Sequence, residues 1–429
     1  MLRNIHWSHR LSKITARNPS QEELGSLLEH YQNARYEDAE KLALSITQEF
    51  PDHPYSWTIL GVLLEETGRA SEALNANQRA VQLEPQAADG HYNLANTFRT
   101  LGRLEEAEAS YLQALALAPE DAGIYYNLGV TLQGLERLEE SRINYKQATT
   151  LKSDYAEAHY GLGILYHEQK IFKNAAKHFI LADNYADSQN YVLRHYFTTN
   201  QKDNFHSQLD KMINQGLNNA VIGSLIMTSE IKYGTKKNNI FCKNPMQYVL
   251  IKDLTKELDF KNIFVDTAKI IIENQGFKNQ PLLTNGQQSS GNFFDIKKDF
   301  VKKIENIIIL EIEKYRDKFK DSDEGFIKNW PAKFELNGWY ISMKNGGSLR
   351  SHMHESGWLS GSIYINIPKK NKKNSGNLVL DNGIKSQEKN IDIRTGNLCL
   401  FPASLHHYTI PFESQEDRIV LAFDVNPKT

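Results

Sequence analysis

Positions 34 residues apart resemble one another through the first half of this 429-residue chain, and that period constrains the fold more than any other feature. Gly61, Ala95, Gly129 and Gly163 form one column of small residues, and Ala39, Ala73, Ala107, Ser141 and Ala175 form a second. A bulky ring recurs at Tyr111, Tyr145 and Phe179, and a proline at Pro51, Pro85 and Pro119, with Ser153 in the fourth place. Small residues in two columns let paired helices approach closely, and proline stops the second helix of each pair. A unit of this length cannot bury its apolar face alone. Stacked neighbours must supply the core, and stacking leaves a concave groove.

The pattern is similar to the tetratricopeptide repeat, and five repeats fit between about Ser20 and Asp187. Asn93 and Asn127 hold one repeat position on successive first helices, which makes them candidate peptide-binding residues. Stacked carboxamides there can hydrogen-bond an extended backbone, as the asparagine ladder does in some superhelical repeat enzymes this segment resembles. Ile59 and Gly161 fill the equivalent positions of neighbouring repeats, and a solvated polar helix face explains two asparagines equally well. Tyr185–Asn219 still reads as helical, from the spacing of Phe197, Phe205, Leu209 and Met212, and would cap the solenoid.

Composition sets outer limits. The length is ample for two cores. Residues 1–190 hold 17 Lys and Arg against 26 Asp and Glu, a balance of −9, and the remainder holds 33 against 26, giving +7. Neither half clusters its charge into a nucleic-acid footprint, so no nucleic acid is expected as a partner. Cys242 and Cys399 are the two cysteines, too few for a disulfide framework, which points to a reducing, cytoplasmic compartment. Arg3, His6, His9 and Arg10 precede no apolar stretch of the secretory kind, and no apolar run approaches the roughly 20 residues needed to span a bilayer.

From about Asn238–Pro245 the character changes. A strand is expected around Gln247–Ile251, a helix near Asn262–Asn274, and a long helix from about Ile296 to Phe319. In the last, Phe300, Ile304, Ile307, Ile308, Ile312, Tyr315 and Phe319 recur on one face. In Leu359–Ile367, Leu359, Ile363, Ile365 and Ile367 form an apolar face broken by Gly361, and Ser360, Ser362, Tyr364 and Asn366 form a polar one. Lys369–Lys373 reads as a solvated hairpin tip.

Chemistry enters with Ser351-His-Met-His-Glu355. If this segment is extended, His352 and His354 share a strand face. With His407 from a distant strand they could grip a divalent ion from one side. Imidazole suits iron, zinc, copper or nickel, and open positions suit oxygen-activating iron. Structural histidines, hydrogen-bonded on a strand, are the bland alternative. Arg418 shares a face with Val420 and Ala422, so it needs a partner anion if buried. A ligand carboxylate held by the planar guanidinium would serve, as would a structural carboxylate such as Asp381.

Gly346-Gly-Ser-Leu-Arg-Ser-His-Met-His-Glu-Ser-Gly-Trp-Leu-Ser-Gly-Ser-Ile-Tyr364, then Leu400-Phe-Pro-Ala-Ser-Leu-His-His407, then Arg418, resemble the 2-oxoglutarate/Fe(II) oxygenases often fused to tetratricopeptide repeats. The resemblance covers roughly Trp330 to Pro427 and implies a double-stranded β-helix, or jelly-roll, barrel with iron at its mouth. It implies iron ligands at His352 and His407 and a co-substrate arginine at Arg418; the Phe-Pro-x-Ser-Leu-x-His register favours His407 over His406. The wider superfamily has Asp or Glu where this chain has His354, and the repeat-linked group resembles this chain in carrying His. The implied set is therefore His352, His354 and His407, with Glu355 as a fallback. Three neutral imidazoles would leave the metal's charge uncompensated. Tyr364, Ser360 and Tyr340 become candidates to hydrogen-bond the 2-oxoglutarate carboxylates.

The expected architecture is multidomain, α then α+β: a solenoid over 20–187, capping helices and linker over 188–237, and a jelly-roll domain with supporting helices over 238–429. The implied cofactor set is Fe(II), 2-oxoglutarate and O2. The implied activity is hydroxylation, with a protein side chain brought by the repeat groove as substrate. Two other readings stand beside it: a repeat scaffold with an inactive jelly-roll binding module, and an oxygenase acting on a small molecule or glycan.

Overall fold

The structure, a computed structural model, describes residues 18–274, 276–382 and 388–428. Arg3, His6, His9 and Arg10 lie outside the described residues. The chain divides into two compact units, one ending at Val192 and the next beginning at Leu193.

The first unit is built from helix pairs: α1 (Gln21–Gln32) with α2 (Tyr36–Glu49), α3 (Pro54–Glu66) with α4 (Ala70–Leu83), α5 (Ala88–Thr100) with α6 (Leu104–Leu117), α7 (Ala122–Gly134) with α8 (Leu138–Leu151), and α9 (Ala156–Glu168) with α10 (Phe172–Ala182). Ser20 opens α1 with a reciprocal capping box to Glu23. The two small-residue columns have different physical jobs. The alanine column is buried outright at helix crossings. The glycine column makes room for rings: a Cβ at Gly129 would lie 2.7 Å from the Tyr145 ring, and one at Gly163 would lie 2.6 Å from that of Phe179. At Gly61 the ring is replaced by Asn77, whose carboxamide would collide with the added carbon. Periodicity in sequence is thus periodicity in contact.

Helix α11 (Ser188–Thr198) carries the chain across the boundary, and α12 (Lys202–Asn214) and α13 (Ala220–Tyr233) follow. Phe205, Leu209 and Met212 are buried in the core that these helices share, with Val221, Ile222 and Ile226 of α13. The strand expected at Gln247–Ile251 begins later, as β1 (Leu250–Asp253), because Pro245–Tyr248 forms a 3-10 turn. A π turn over Lys261–Val265 leads into α14 (Asp266–Asn274). The short strand β2 (Phe277–Asn279) and β3 (Leu283–Ser289) come next, then α15 (Asp299–Lys318), the one-turn α16 (Gly325–Lys328), and β4 (Phe334–His352). The remaining strands are β5 (Leu359–Asn366), β6 (Leu378–Asp381), β7 (Lys389–Ile391), β8 (Asn397–Pro402), β9 (His406–Thr409) and β10 (Arg418–Pro427).

These strands form one curled antiparallel sheet in the order β1-β8-β5-β10-β4-β9-β6-β7, with β3 also pairing β4 and β2 pairing β3. The 19-residue β4 bends from pairing β10 along its first half to pairing β3 and β9 further on. That bend gives the sheet an outer and an inner face. On the outer face Val301, Ile304, Ile308, Ile312 and Tyr315 of α15 pack in one core with Leu359, Ile363, Leu421 and Phe423. Gly361, the break in the apolar face of β5, lies opposite Phe423, whose ring fills the space an added Cβ would need. The inner face holds Ser360, Ser362 and Tyr364 of β5 and Arg418, Val420, Ala422 and Asp424 of β10, around a cavity of about 330 Å³. The curled sheet with its supporting helices is the jelly-roll half of the expected fold, and the second unit also takes in α12 and α13. Among the described residues no helix is long and apolar enough to cross a membrane.

Candidate active site

Strand β4 ends at His352, which lies directly opposite His407 of β9 in the antiparallel register. His354 sits just past the strand end. The three side chains converge: one ring nitrogen from each lies within 4.8 Å of the others. The His352 and His407 ring centroids are 4.2 Å apart, and His354 is 5.1 and 4.9 Å from them.

The hydrogen bonds behind the rings decide what faces inward. Nδ1 of His352 lies 3.0 Å from the Arg350 carbonyl oxygen, which can only accept, so that nitrogen carries the proton. Nδ1 of His354 donates to Asp424 Oδ2 at 2.5 Å. That leaves both Nε2 atoms facing inward, 3.1 Å from each other and within hydrogen-bond reach. Two lone pairs at that distance repel unless a proton or a metal ion lies between them. Nitrogens about 2.1 Å from a shared ion and roughly at right angles lie about 3 Å apart, so the donor set fits a transition-metal ion. Burial and the neighbouring rings push His352 down to about 4, and the same causes hold His407 well below the ordinary histidine range. Both are neutral at physiological pH, the form that ligates.

Arg418 supplies the second half. It is 3% exposed, and its Nε has no hydrogen-bond partner among the described residues. No described carboxylate forms an ion pair with it. Asp381, the alternative partner, lies opposite His406 in the β6–β9 register. The Tyr364 ring lies 5.3 Å from the guanidinium carbon. A buried guanidinium beside a phenol and facing a cavity has the chemistry of a carboxylate receptor.

The other expected residues divide. Tyr364 lines the cavity. Ser360 also lines it, but its hydroxyl is spent on Asp424 Oδ1 at 2.8 Å rather than free for a ligand. Tyr340 is a correction: it is opposite Leu421, packs against Phe293 on the outer face, and its neighbours Trp339 and Ile341 line the cavity instead. Strand parity puts it on the wrong side. Glu355, the fallback ligand, is paired with Arg194 of α11. In the first unit, the Asn127 amide donates to the Tyr92 hydroxyl at 2.8 Å and the Gly123 carbonyl at 3.0 Å, so its donors are not free for a peptide. Asn93 is half-buried on α5.

Two contributors were not anticipated. Trp339 stacks on His354, with centroids 5.5 Å apart and planes at 29°. Asp424 stands behind His354, and its signal was present: it continues the alternate-residue row of Arg418, Val420 and Ala422.

Fold and site together define a class, a helical-repeat protein with a jelly-roll domain that carries a three-histidine cluster and a buried arginine. Family models match both halves of the chain. Residues 337–424 match the family described as "Putative 2OG-Fe(II) oxygenase". Residues 95–136 and 134–170 match "TPR repeat", and residues 27–89 match "Tetratricopeptide repeat". The chain therefore joins tetratricopeptide repeats to a domain of that oxygenase family. No curated protein matches it. Among solved structures, MamA from Desulfovibrio magneticus RS-1 is 21% identical, covering 38% of this chain and 91% of its own, with a TM-score of 0.36. Pseudomonas aeruginosa pilF is 16% identical over 45% of this chain and 90% of its own, with a TM-score of 0.41. A thermophilic TPR protein of Thermus thermophilus is 21% identical over 41% of this chain and 96% of its own, with a TM-score of 0.34.

Proposed function

We propose that the protein is an Fe(II)- and 2-oxoglutarate-dependent dioxygenase that hydroxylates a protein side chain recruited by its repeats. The observation that carries this reading is the convergence of three imidazoles, with two Nε2 atoms 3.1 Å apart, in the same cavity as a buried arginine that no described carboxylate pairs with. His352, His354 and His407 would hold the iron. Arg418, with Tyr364 beside it, would hold the far carboxylate of 2-oxoglutarate. When bound, the pair supplies oxidative decarboxylation coupled to hydroxylation, in which 2-oxoglutarate, O2 and R–H become succinate, CO2 and R–OH.

The chain's own residues orient and protect. Arg350 and Asp424 hold the two inward-facing tautomers. Phe401 stands edge-on to His407 at 5.0 Å, and Ile341, Met343, Leu378 and Val420 make the walls apolar. Among the lining residues Asp424 is the one acid, and it is committed to His354 and Ser360. No side chain is left to act as a general base, which suits a reaction that removes a hydrogen atom rather than a proton. The repeats support a protein substrate, because such surfaces bind extended segments of partners.

The test is succinate formation by full-length protein that requires both added Fe(II) and 2-oxoglutarate, followed by mass spectrometry for one added oxygen in proteins captured by the repeats. Iron-loaded protein that yields no succinate would favour the scaffold reading. Succinate without any modified protein would favour a small molecule or glycan.

A further inference from the structure

We propose that Asp424 is the positioning residue that gives this three-histidine site the negative charge its ligands lack and fixes His354 in its ligating form. The inference rests on the metal reading above and adds to it. Asp424 is 5% exposed, and both its oxygens are committed: Oδ2 accepts from His354 and Oδ1 from the Ser360 hydroxyl. No lysine or arginine among the described residues pairs with it; its one ion-pair contact is His354. A buried carboxylate whose one ion-pair partner is an imidazole is costly unless positive charge gathers on or behind that ring. One lying one imidazole away from two opposed ring nitrogens that converge with a third has an evident use. A cation at those nitrogens would be felt by the carboxylate through the His354 ring, and the carboxylate makes that ring a stronger donor.

The strand geometry adds a second argument. Arg418 and Asp424 stand on one face of β10, six residues apart, which is about 20 Å of extended chain, so they do not neutralise each other. The cavity keeps at one end an arginine that no described carboxylate pairs with, and at the other a carboxylate whose one ion-pair contact is His354. That polarity matches a ligand pair with a metal ion at the Asp424 end and an anionic tail at the Arg418 end. A merely structural aspartate, pinning the loop after His352, would need no such partner.

The experiment is metal titration of metal-free, full-length protein, as wild type, Asp424→Asn and Asp424→Ala. Co(II) is followed by its visible ligand-field bands, and Fe(II) under anaerobic conditions by competition with a chromophoric chelator. Asparagine keeps the size of the side chain and can accept from His354 while its amide donates to Ser360, so this variant should fold. Its metal-free Tm should equal or exceed that of the wild type. The expected result for Asp424→Asn is Co(II) and Fe(II) affinity weaker by about 10- to 100-fold, with shifted Co(II) bands, and at least as great a loss for Asp424→Ala. The proposal is overturned if either folded variant binds Co(II) within about threefold of wild type, against that expected loss, with unchanged bands. A fall in metal-free Tm with unaltered metal affinity overturns it too, by showing a structural role. Wild-type protein that takes up no Co(II) fails differently: the three-histidine reading itself falls and takes Asp424 with it.

Discussion

Arg418 carries a charge that no described carboxylate neutralises, and that imbalance makes it the most informative single residue to change. Truncating one member of a buried charge pair costs about 2–5 kcal/mol. Arg418→Ala should therefore raise the 2-oxoglutarate KM by about 10²-fold or more, while Co(II) uptake at the histidines stays near normal. Arg418→Lys keeps charge but loses the planar fork, so it should recover only part of that loss. Steady-state succinate assays and Co(II) titration read both. Ser360 and Tyr364 separate in the same assays. Tyr364→Phe should act on 2-oxoglutarate, because the phenol lies beside the guanidinium, whereas Ser360→Ala should act on metal affinity, because its hydroxyl serves Asp424. Acidity tests the histidines. His352 is held at about 4 in the folded protein, against about 6.5 in an unfolded chain. Between those values the unfolded state binds more protons. The stability contributed by neutral His352 is therefore complete above about pH 6.5 and lost as pH falls toward 4. His407 shifts in the same direction. Metal-free protein should lose Tm across that window, and His352→Gln should flatten the slope; a slope unchanged in His352→Gln would sink this account.

At the scale of elements, glycines mark where backbones or rings approach too closely for any other residue. Gly163→Ala would push a methyl into the Phe179 ring between α9 and α10, and Gly361→Ala would push one into Phe423 between β5 and β10. Overpacking of this kind costs about 1–3 kcal/mol, which thermal denaturation should register for each. The same contacts show what sequence could reveal. The 34-residue period gave away the helix pairs because every repeat solves one packing problem with the same residue types. The long helix α15 was equally plain, its apolar stripe buried almost as the spacing of Ile304, Ile308, Ile312 and Tyr315 requires. Strand parity put Arg418, Val420 and Ala422 on one face of β10 and Tyr364 on the polar face of β5, and both faces turn inward; Asp424 continues the row but was not anticipated. It misplaced Tyr340, because 19 continuous residues of β4 offer polar and apolar groups on both faces and no local feature says which is inside. Strand β3 was invisible: Leu-Thr-Asn-Gly-Gln-Gln-Ser has no alternation, and its pairing comes from the bent β4 on one side and the short β2 on the other. Convergence of His354 did not depend on an extended backbone as expected, since the strand stops at His352; a carboxylate from β10 holds the ring instead.

At the scale of the whole molecule, the cores are separate. Leu27, Ile46, Leu60 and Leu63 belong to one cluster in the first unit, while α15, β5 and β10 share another in the second. Compact units with their own cores need not unfold together, so calorimetry should resolve two transitions rather than one. Their assignment follows from chemistry confined to each. Gly163→Ala should lower the transition of the repeats and leave the other in place. Co(II) should raise only the transition of the jelly-roll unit, by about 2.7 kcal/mol at a hundred times Kd, and Asp424→Asn should shrink that rise at the same metal concentration. A single transition that moves as a whole under both perturbations would mean that the repeats and the jelly-roll unit stabilise each other. In that case occupancy of the repeats by a partner and occupancy of the metal site would be thermodynamically linked, each raising the affinity for the other. Two independent transitions leave the repeats only one way to affect turnover, through the local concentration of the protein they hold.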